Sequence, residues 1–342
     1  MTEKPLPSPL LPWKTKIFIS VLSAVTDAAR RSNGTVNRRL LRFLDFREAS
    51  NPKPFKGVKT ADFTVDPTRN LWFRAFYPTG TADDVSLPVF IFFHGGGFAF
   101  LSPDSKAYDA VCRRIAGEIP AVVVSVNYRL SPENKYPAPY DDGFDVVKWL
   151  DGRDPAFYDF APKADLSLLF LSGDSAGGNI SHHVAQRISG APPTEFKSVR
   201  LIGLVAIQPY FGGEERTESE TRLAWAPLVS MERTDWLWKA FLPEGSDRDH
   251  EAVNPFGRNG SGNLPASFPA ALVFVGGFDP LQDWQKRYCE GLKALGKEAN
   301  LVVYPNAIHA FYVFPELPES ELLITEVRDF IQKQSKKVAE NK

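Results

Sequence analysis

The run Leu168-Leu169-Phe170-Leu171 leads straight into Ser172-Gly173-Asp174-Ser175-Ala176-Gly177-Gly178-Asn179. A serine placed on a tight turn between a buried strand and a helix has its hydroxyl lifted above the sheet. Small residues two positions to either side, here Gly173 and Gly177, let neighbouring backbone pass. The Ala176 N–H then lies at a helix N-terminus, aimed at negative charge developing on a substrate oxygen. The chemistry so indicated is acyl transfer with Ser175 as nucleophile, set against the plainer reading of a turn serine.

A serine hydroxyl needs a base, and the base needs an acid to hold its tautomer. Of five histidines, His182 and His183 fall inside the helix that follows the turn and read as packing or surface residues. His250 sits in the charged stretch Ser246 to Glu251 and reads as solvated. His309 ends a short loop after the strand-like Leu301 to Tyr304, late in the chain. It fits the order serine, acid, histidine, each at the end of a strand. For the acid, Asp279 comes first after the run Leu272 to Val275, and Pro280 keeps it out of the coming helix. Asp283 is the second candidate, with a first-turn charge as its ordinary role.

Strand-like Val89 to Phe93 runs into His94-Gly95-Gly96-Gly97-Phe98. Three consecutive glycines disfavour any regular element and suit a place where backbone amides approach something closely. An oxyanion hole needs that approach, and Gly95, Gly96, Gly97 and Ala176 are its candidates; which of the three loop glycines donate is open. A phosphate cradle is the competing use, but no lysine follows at P-loop spacing. His94 reads as a brace for the loop.

These residues need a frame. The short apolar runs Val89 to Phe93, Val122 to Val126, Leu168 to Leu171, Leu201 to Ile207 and Leu272 to Val275 are what strands buried on both faces look like. Phe63 to Val65 and Leu71 to Phe76 read as an early hairpin. Helical patterns near Tyr108 to Glu118, Tyr140 to Leu150, Gly177 to Ile188, Asp235 to Phe241, Trp284 to Leu295 and Ser320 to Gln332 alternate with the strands. The predicted class is therefore α/β, a mostly parallel sheet flanked by helices. Ahead of it, Ile17, Phe18, Val21, Leu22, Val25 and Ala29 recur at helical spacing, as in an amphipathic helix docked by that face.

The chain of 342 residues is 43% hydrophobic and 24% charged, enough apolar surface for a sizeable core. With 40 Lys and Arg against 41 Asp and Glu, no strong field draws it to nucleic acid or anionic lipid. No apolar stretch reaches the roughly 18 residues of a membrane span. Lys14 and Lys16 before Ile17 to Val25 have the look of a secretory signal, but Ser20 and Ser23 interrupt the run. Sequons begin at Asn33, Asn179 and Asn259; Asn179 is expected to be buried. Two cysteines, Cys112 and Cys289, make neither a disulfide framework nor a metal cluster. The expectation is an intracellular protein, cytoplasmic with the nucleus also open, without metal or cofactor.

Taken together, His94 to Phe98, Asn127-Tyr128-Arg129-Leu130-Ser131-Pro132-Glu133, Tyr140-Asp141-Asp142-Gly143, Gly173 to Asn179 and the Asp279 and His309 loops resemble the plant carboxylesterases. These belong to the α/β-hydrolase fold and are related to the hormone-sensitive-lipase-like esterases. In them the stretch around Arg129 and Glu133 is structural, implying buried supports. Within that family the chain resembles the branch containing the gibberellin receptors, through Ile19 to Arg39, Phe211 to Glu220 and Trp238 to Gly245. That likeness implies a helical lid over residues 1–50 and a hydrolase domain over 51–342. The receptors have lost hydrolysis and carry an aliphatic residue where this chain has His309. They also carry a tyrosine where Thr26 aligns and a hormone-facing arginine where Thr234 aligns.

The expected function is hydrolysis of small, largely apolar or aromatic carboxylic esters, with Phe98, Tyr108, Asp174, Tyr210 and Tyr312 expected to meet the substrate. The alternative is a receptor-like small-molecule binder with weak or no hydrolysis and a protein partner. Lyase or acyltransferase chemistry on the same fold would need only a different acceptor of the acyl group.

Overall fold

In the computed structural model, which describes residues 9–82, 84–260 and 262–340, alternate residues of one strand belong to two different cores. Val89, Ile91 and Phe93 pack into one cluster of buried side chains, and Phe90 and Phe92 into another. That is how a strand behaves when both faces of its sheet are covered, and it explains runs without polar alternation.

The sheet has eight strands: β1 (Val58–Asp66), β2 (Leu71–Pro78), β3 (Leu87–Phe93), β4 (Val122–Asn127), β5 (Ala164–Asp174), β6 (Leu201–Ile207), β7 (Ala270–Phe278) and β8 (Ala299–Ile308). Their spatial order is β1-β2-β4-β3-β5-β6-β7-β8. β2 runs antiparallel to β1 and β4, and every other pairing is parallel. The expected hairpin and parallel sheet are both present. The C-terminal ends of β3, β5, β6, β7 and β8 therefore lie along one edge, where ligands of open α/β sheets bind.

The helices are α1 (Trp13–Ala29), α2 (Arg38–Leu44), α3 (Lys106–Glu118), α4 (Ala138–Asp151), α5 (Pro155–Phe160), α6 (Ala176–Gly190), α7 (Glu218–Arg222), α8 (Met231–Phe241), α9 (Gln282–Ala294) and α10 (Pro318–Glu340). α4, α6 and α9 send Val146, Ile180, Val184 and Leu292 into one core. α3 and α10 send Val111, Ile115, Leu323 and Phe330 into the other. Among the described residues no helix is long and apolar enough to cross a membrane.

α1 forms where expected but docks by a different face. Thr15, Ile19 and Ser23 are buried, whereas Ile17, Phe18 and Val21 are about half exposed. Polar contacts select this face: Thr15 donates to Glu316, Ser23 accepts the Leu228 N–H at 3.1 Å, and Asp27 pairs with Arg233 at 2.6 and 2.7 Å. Apolar spacing alone carried no information about those partners. Further along, Arg38 bonds Glu133 and the carbonyls of Ala99 and Ser131. Residues 13–44 are thus tied to the stretch after His309, to α8 and its approach, and to the segment after the glycine loop.

Candidate active site

Ser175 sits between β5 and α6 with φ 53° and ψ −120°, a strained conformation for a residue with a side chain. The surrounding backbone enforces it. The Ser175 N–H donates to the Ile207 carbonyl at 3.0 Å, and its own carbonyl accepts the Tyr210 N–H at 2.8 Å. A Cβ at Gly173 would fall 2.4 Å from the Gly177 backbone. The turn read from sequence is present, and its glycines are there for close approach.

Asp279 follows β7 and His309 follows β8. His309 Nδ1 lies 2.7 Å from Asp279 Oδ2, with the carboxylate wholly buried and the imidazole 6% exposed. Asp279 also accepts from Leu281 N–H, Gln208 Nε2 and Gln285 Nε2. A carboxylate ringed by donors is an acceptor, so Nδ1 carries the proton and Nε2 keeps its lone pair. Burial works to discharge His309, but the Asp279 charge and, further off, Asp174 outweigh it and hold the imidazole above the ordinary histidine value. Among the described residues no hydrogen bond joins the Ser175 hydroxyl to His309; such bonds commonly close only when substrate is bound.

Asp283, the second candidate for the acid, instead accepts the Ser219 N–H at 2.9 Å, a helix-start charge holding the first turn of α7. His182 and His183 are buried in the core, and burial pushes His182 down to about 3. His250 departs from expectation: it is half-buried, edge-on to Tyr136, with Nδ1 accepting the Ala252 N–H.

His94 is buried, stacked on Tyr128 at 4.3 Å, and bonded through Nδ1 to the Gly95 carbonyl. Burial takes it down to about 4, so it is a neutral brace. Of the loop glycines, Gly95 spends its N–H on Tyr108 Oη at 2.8 Å. Gly96 and Gly97 hold φ values of 102° and 60°, which favour glycine. A Cβ on Gly97 would fall 2.4 Å from Leu237, so Leu237 caps this loop.

The five residues expected to meet substrate are all buried. Phe98 is fully buried, stacked on Phe241 at 3.8 Å. Tyr210 stacks on Trp238 at 4.1 Å and donates to the Thr234 carbonyl. Tyr108 donates to the Asp174 carboxylate, which the buried Tyr312 also adjoins. Burial pushes that carboxyl up to about 6 against the pull of Tyr312, His309 and Tyr108. Sequence reasoning missed Gln208 and Gln285, because a glutamine after a strand or inside a helix carries no chemical signature without its partners. Leu237 was missed for the same reason.

Residues 90–313 match the α/β-hydrolase fold family. The chain is 40% identical to a gibberellin receptor of Arabidopsis thaliana over 334 residues, 94% of each chain. It is 34% identical to Carboxylesterase 20 of the same plant, over 80% of this chain and 86% of that one. The chain belongs to the plant carboxylesterase family of α/β-hydrolases. Within it the gibberellin-receptor branch is near. An opium poppy member, 3-O-acetylpapaveroxine carboxylesterase of Papaver somniferum, is 32% identical over 80% of this chain and 88% of its own. Among solved structures, the hyperthermophilic esterase of the archaeon Pyrobaculum calidifontis superposes with a TM-score of 0.71 at 26% identity, covering 96% of this chain and 99% of that one.

Three family features read from sequence can be placed. Arg129 pairs with the buried Asp142 and is half-buried. Glu133 is exposed, a correction to the expected buried support: it faces the N-terminal segment, where Arg38 finds it. Asn179 is fully buried, holding Tyr140 and the carbonyls of Tyr210 and Ala252.

Proposed function

We propose that this carboxylesterase-family chain is a serine esterase acting on small, largely apolar or aromatic carboxylic esters. The observation that carries the reading is the buried 2.7 Å bond between His309 and Asp279, which follow β8 and β7, separated only by β6 from β5, the strand that presents Ser175. Ser175 Oγ attacks the ester carbonyl carbon while His309 Nε2 takes its proton. The oxyanion is held by the Ala176 N–H and by Gly96 and Gly97, since Gly95 is spent on Tyr108. Collapse expels the alcohol with the proton from His309, and water repeats the sequence on the acyl-enzyme.

Substrate size follows from enclosure. Ser175 is 8% exposed, Leu237 lies against Gly97, and Phe98, Tyr210 and Tyr312 are buried nearby in the chain's motif loops, which supports a small, largely apolar acyl group. Residues 1–50 are read as the lid over the site; residues 1–8 of it lie outside the described residues. Turnover of a short-chain p-nitrophenyl ester by the parent, lost in Ser175→Ala and His309→Val, is the expected result; equal rates in all three would sink the assignment.

A second reading is a receptor-like small-molecule binder with a protein partner, favoured by the 40% identity to a gibberellin receptor over 94% of the chain. Two residues speak against it. Thr26 turns its hydroxyl to the carbonyls of Leu22 and Ser23, and Thr234 is buried with its hydroxyl on Met231. Titration calorimetry with a gibberellin is expected to give no binding heat, with the parent or with His309→Val; saturable heat in either would favour the receptor reading.

A further inference from the structure

Gln208 follows β6, is 1% exposed and has φ 43°. Its backbone N–H donates to the Phe274 carbonyl on β7 at 3.0 Å. Its side-chain amide meets three partners. Nε2 donates to Asp279 Oδ2 at 3.0 Å and to the Ile308 carbonyl at 3.1 Å, and Oε1 accepts the Ala310 N–H at 2.8 Å. A carbonyl and an N–H on opposite sides of His309 fix which end of the amide is which. There is no slack around it: a Cβ on Gly276 would fall 2.6 Å from Nε2.

We infer that Gln208 is a positioning residue for the esterase reaction, clasping the backbone on both sides of His309 and the carboxylate that orients it. The inference rests on the esterase reading above. The same short segment also holds the nucleophile, because Ile207 accepts the Ser175 N–H and Tyr210 donates to the Ser175 carbonyl. Residues 207–210 therefore set the separation between nucleophile and base from a single piece of backbone. Placement of a base is worth this much structure: an error of about 1 Å costs on the order of 100-fold in rate.

Two variants test it. Gln208→Met keeps the volume and loses all three bonds; kcat is expected to fall about 10- to 100-fold with KM changed less than about 2-fold. Gln208→Glu keeps an acceptor for Ala310 and adds negative charge to that of Asp279 and Asp174, the carboxylates facing His309. The acid limb of its kcat/KM profile moves to higher pH. If kcat survives in Gln208→Met and the acid limb stays put in Gln208→Glu, Gln208 only packs, whatever happens to Tm, and the inference is overturned. Should the parent hydrolyse nothing and Ser175 resist a fluorophosphonate, the esterase reading falls separately. The downfield proton NMR signal of His309 Nδ1–H then decides. A shift in Gln208→Met supports the clasp, and an unmoved signal overturns it.

Discussion

A Cβ added to Gly177 would fall 1.8 Å from the carbonyl oxygen of Phe93. The first turn of α6 thus rests on the last residue of β3, backbone against backbone, and the serine turn and the glycine loop share one contact. Gly177→Ala must push them apart. We expect a loss of about 3 kcal/mol or more in chemical denaturation, and near-complete loss of hydrolysis in whatever folds. A variant as stable and active as the parent would mean that this contact does not govern the site.

The Asp279 to His309 bond predicts graded losses. Ser175→Ala and His309→Val are each expected to lose about 10⁴- to 10⁶-fold in kcat. Asp279→Asn, which favours the wrong imidazole tautomer, is expected to lose about 10⁴-fold. Because the His309 imidazole is held above the ordinary histidine value, the base is uncharged only at higher pH. The kcat/KM profile should therefore fall toward acid with a midpoint above that ordinary value, and a midpoint below it would contradict the geometry.

Asp174 predicts the opposite sign for stability. Its carboxyl is raised from 3.8 to about 6, so between those values the folded chain holds a proton that the unfolded chain has lost. Stability falls as pH rises through that window, with a full cost on the order of 3 kcal/mol above it. Asp174→Asn removes the cost while leaving an acceptor for Tyr108. Urea denaturation at pH 8 should find the variant more stable by about 2–3 kcal/mol, with the advantage gone near pH 4. Its acid limb of activity should also move down, since one of the two charges favouring imidazolium is absent.

What was legible beforehand divides by range of interaction. The strand runs were readable because burial on both faces leaves an unbroken apolar signature; β6 matches its run end to end, Leu201–Ile207. The sequence order of Ser175, Asp279 and His309 pointed to strand ends, and the structure places all three there and joins Asp279 to His309 at 2.7 Å. The buried face of α1 was misread, because Glu316, Leu228 and Arg233 are distant in sequence. Gln208 was invisible for the same reason: its three side-chain partners lie at least 71 positions away.

Arg38 predicts how firmly the N-terminal segment is held. Its guanidinium bonds the Glu133 carboxylate and the carbonyls of Ala99, just beyond the glycine loop, and Ser131, after β4. Arg38→Ala is expected to weaken local attachment by about 1–2 kcal/mol, a charged donor shared among partly exposed acceptors. Amides of residues 13–44 should exchange roughly 10-fold faster, while those of β3 to β7 hold their protection. Unchanged exchange would show that the segment is held by other contacts.

The seam beneath α1 has a consequence for ionic strength. Much of what fastens the segment is charge on charge, Asp27 with Arg233 and Arg38 with Glu133, while Ile17 and Val21 face outward. Added salt screens such partly exposed pairs within about 8–10 Å and leaves the apolar cores intact. The lid proposed for this segment would thus be fastened by an electrolyte-sensitive latch. Access to Ser175 should quicken as salt rises, well before the sheet that carries Ser175 begins to weaken.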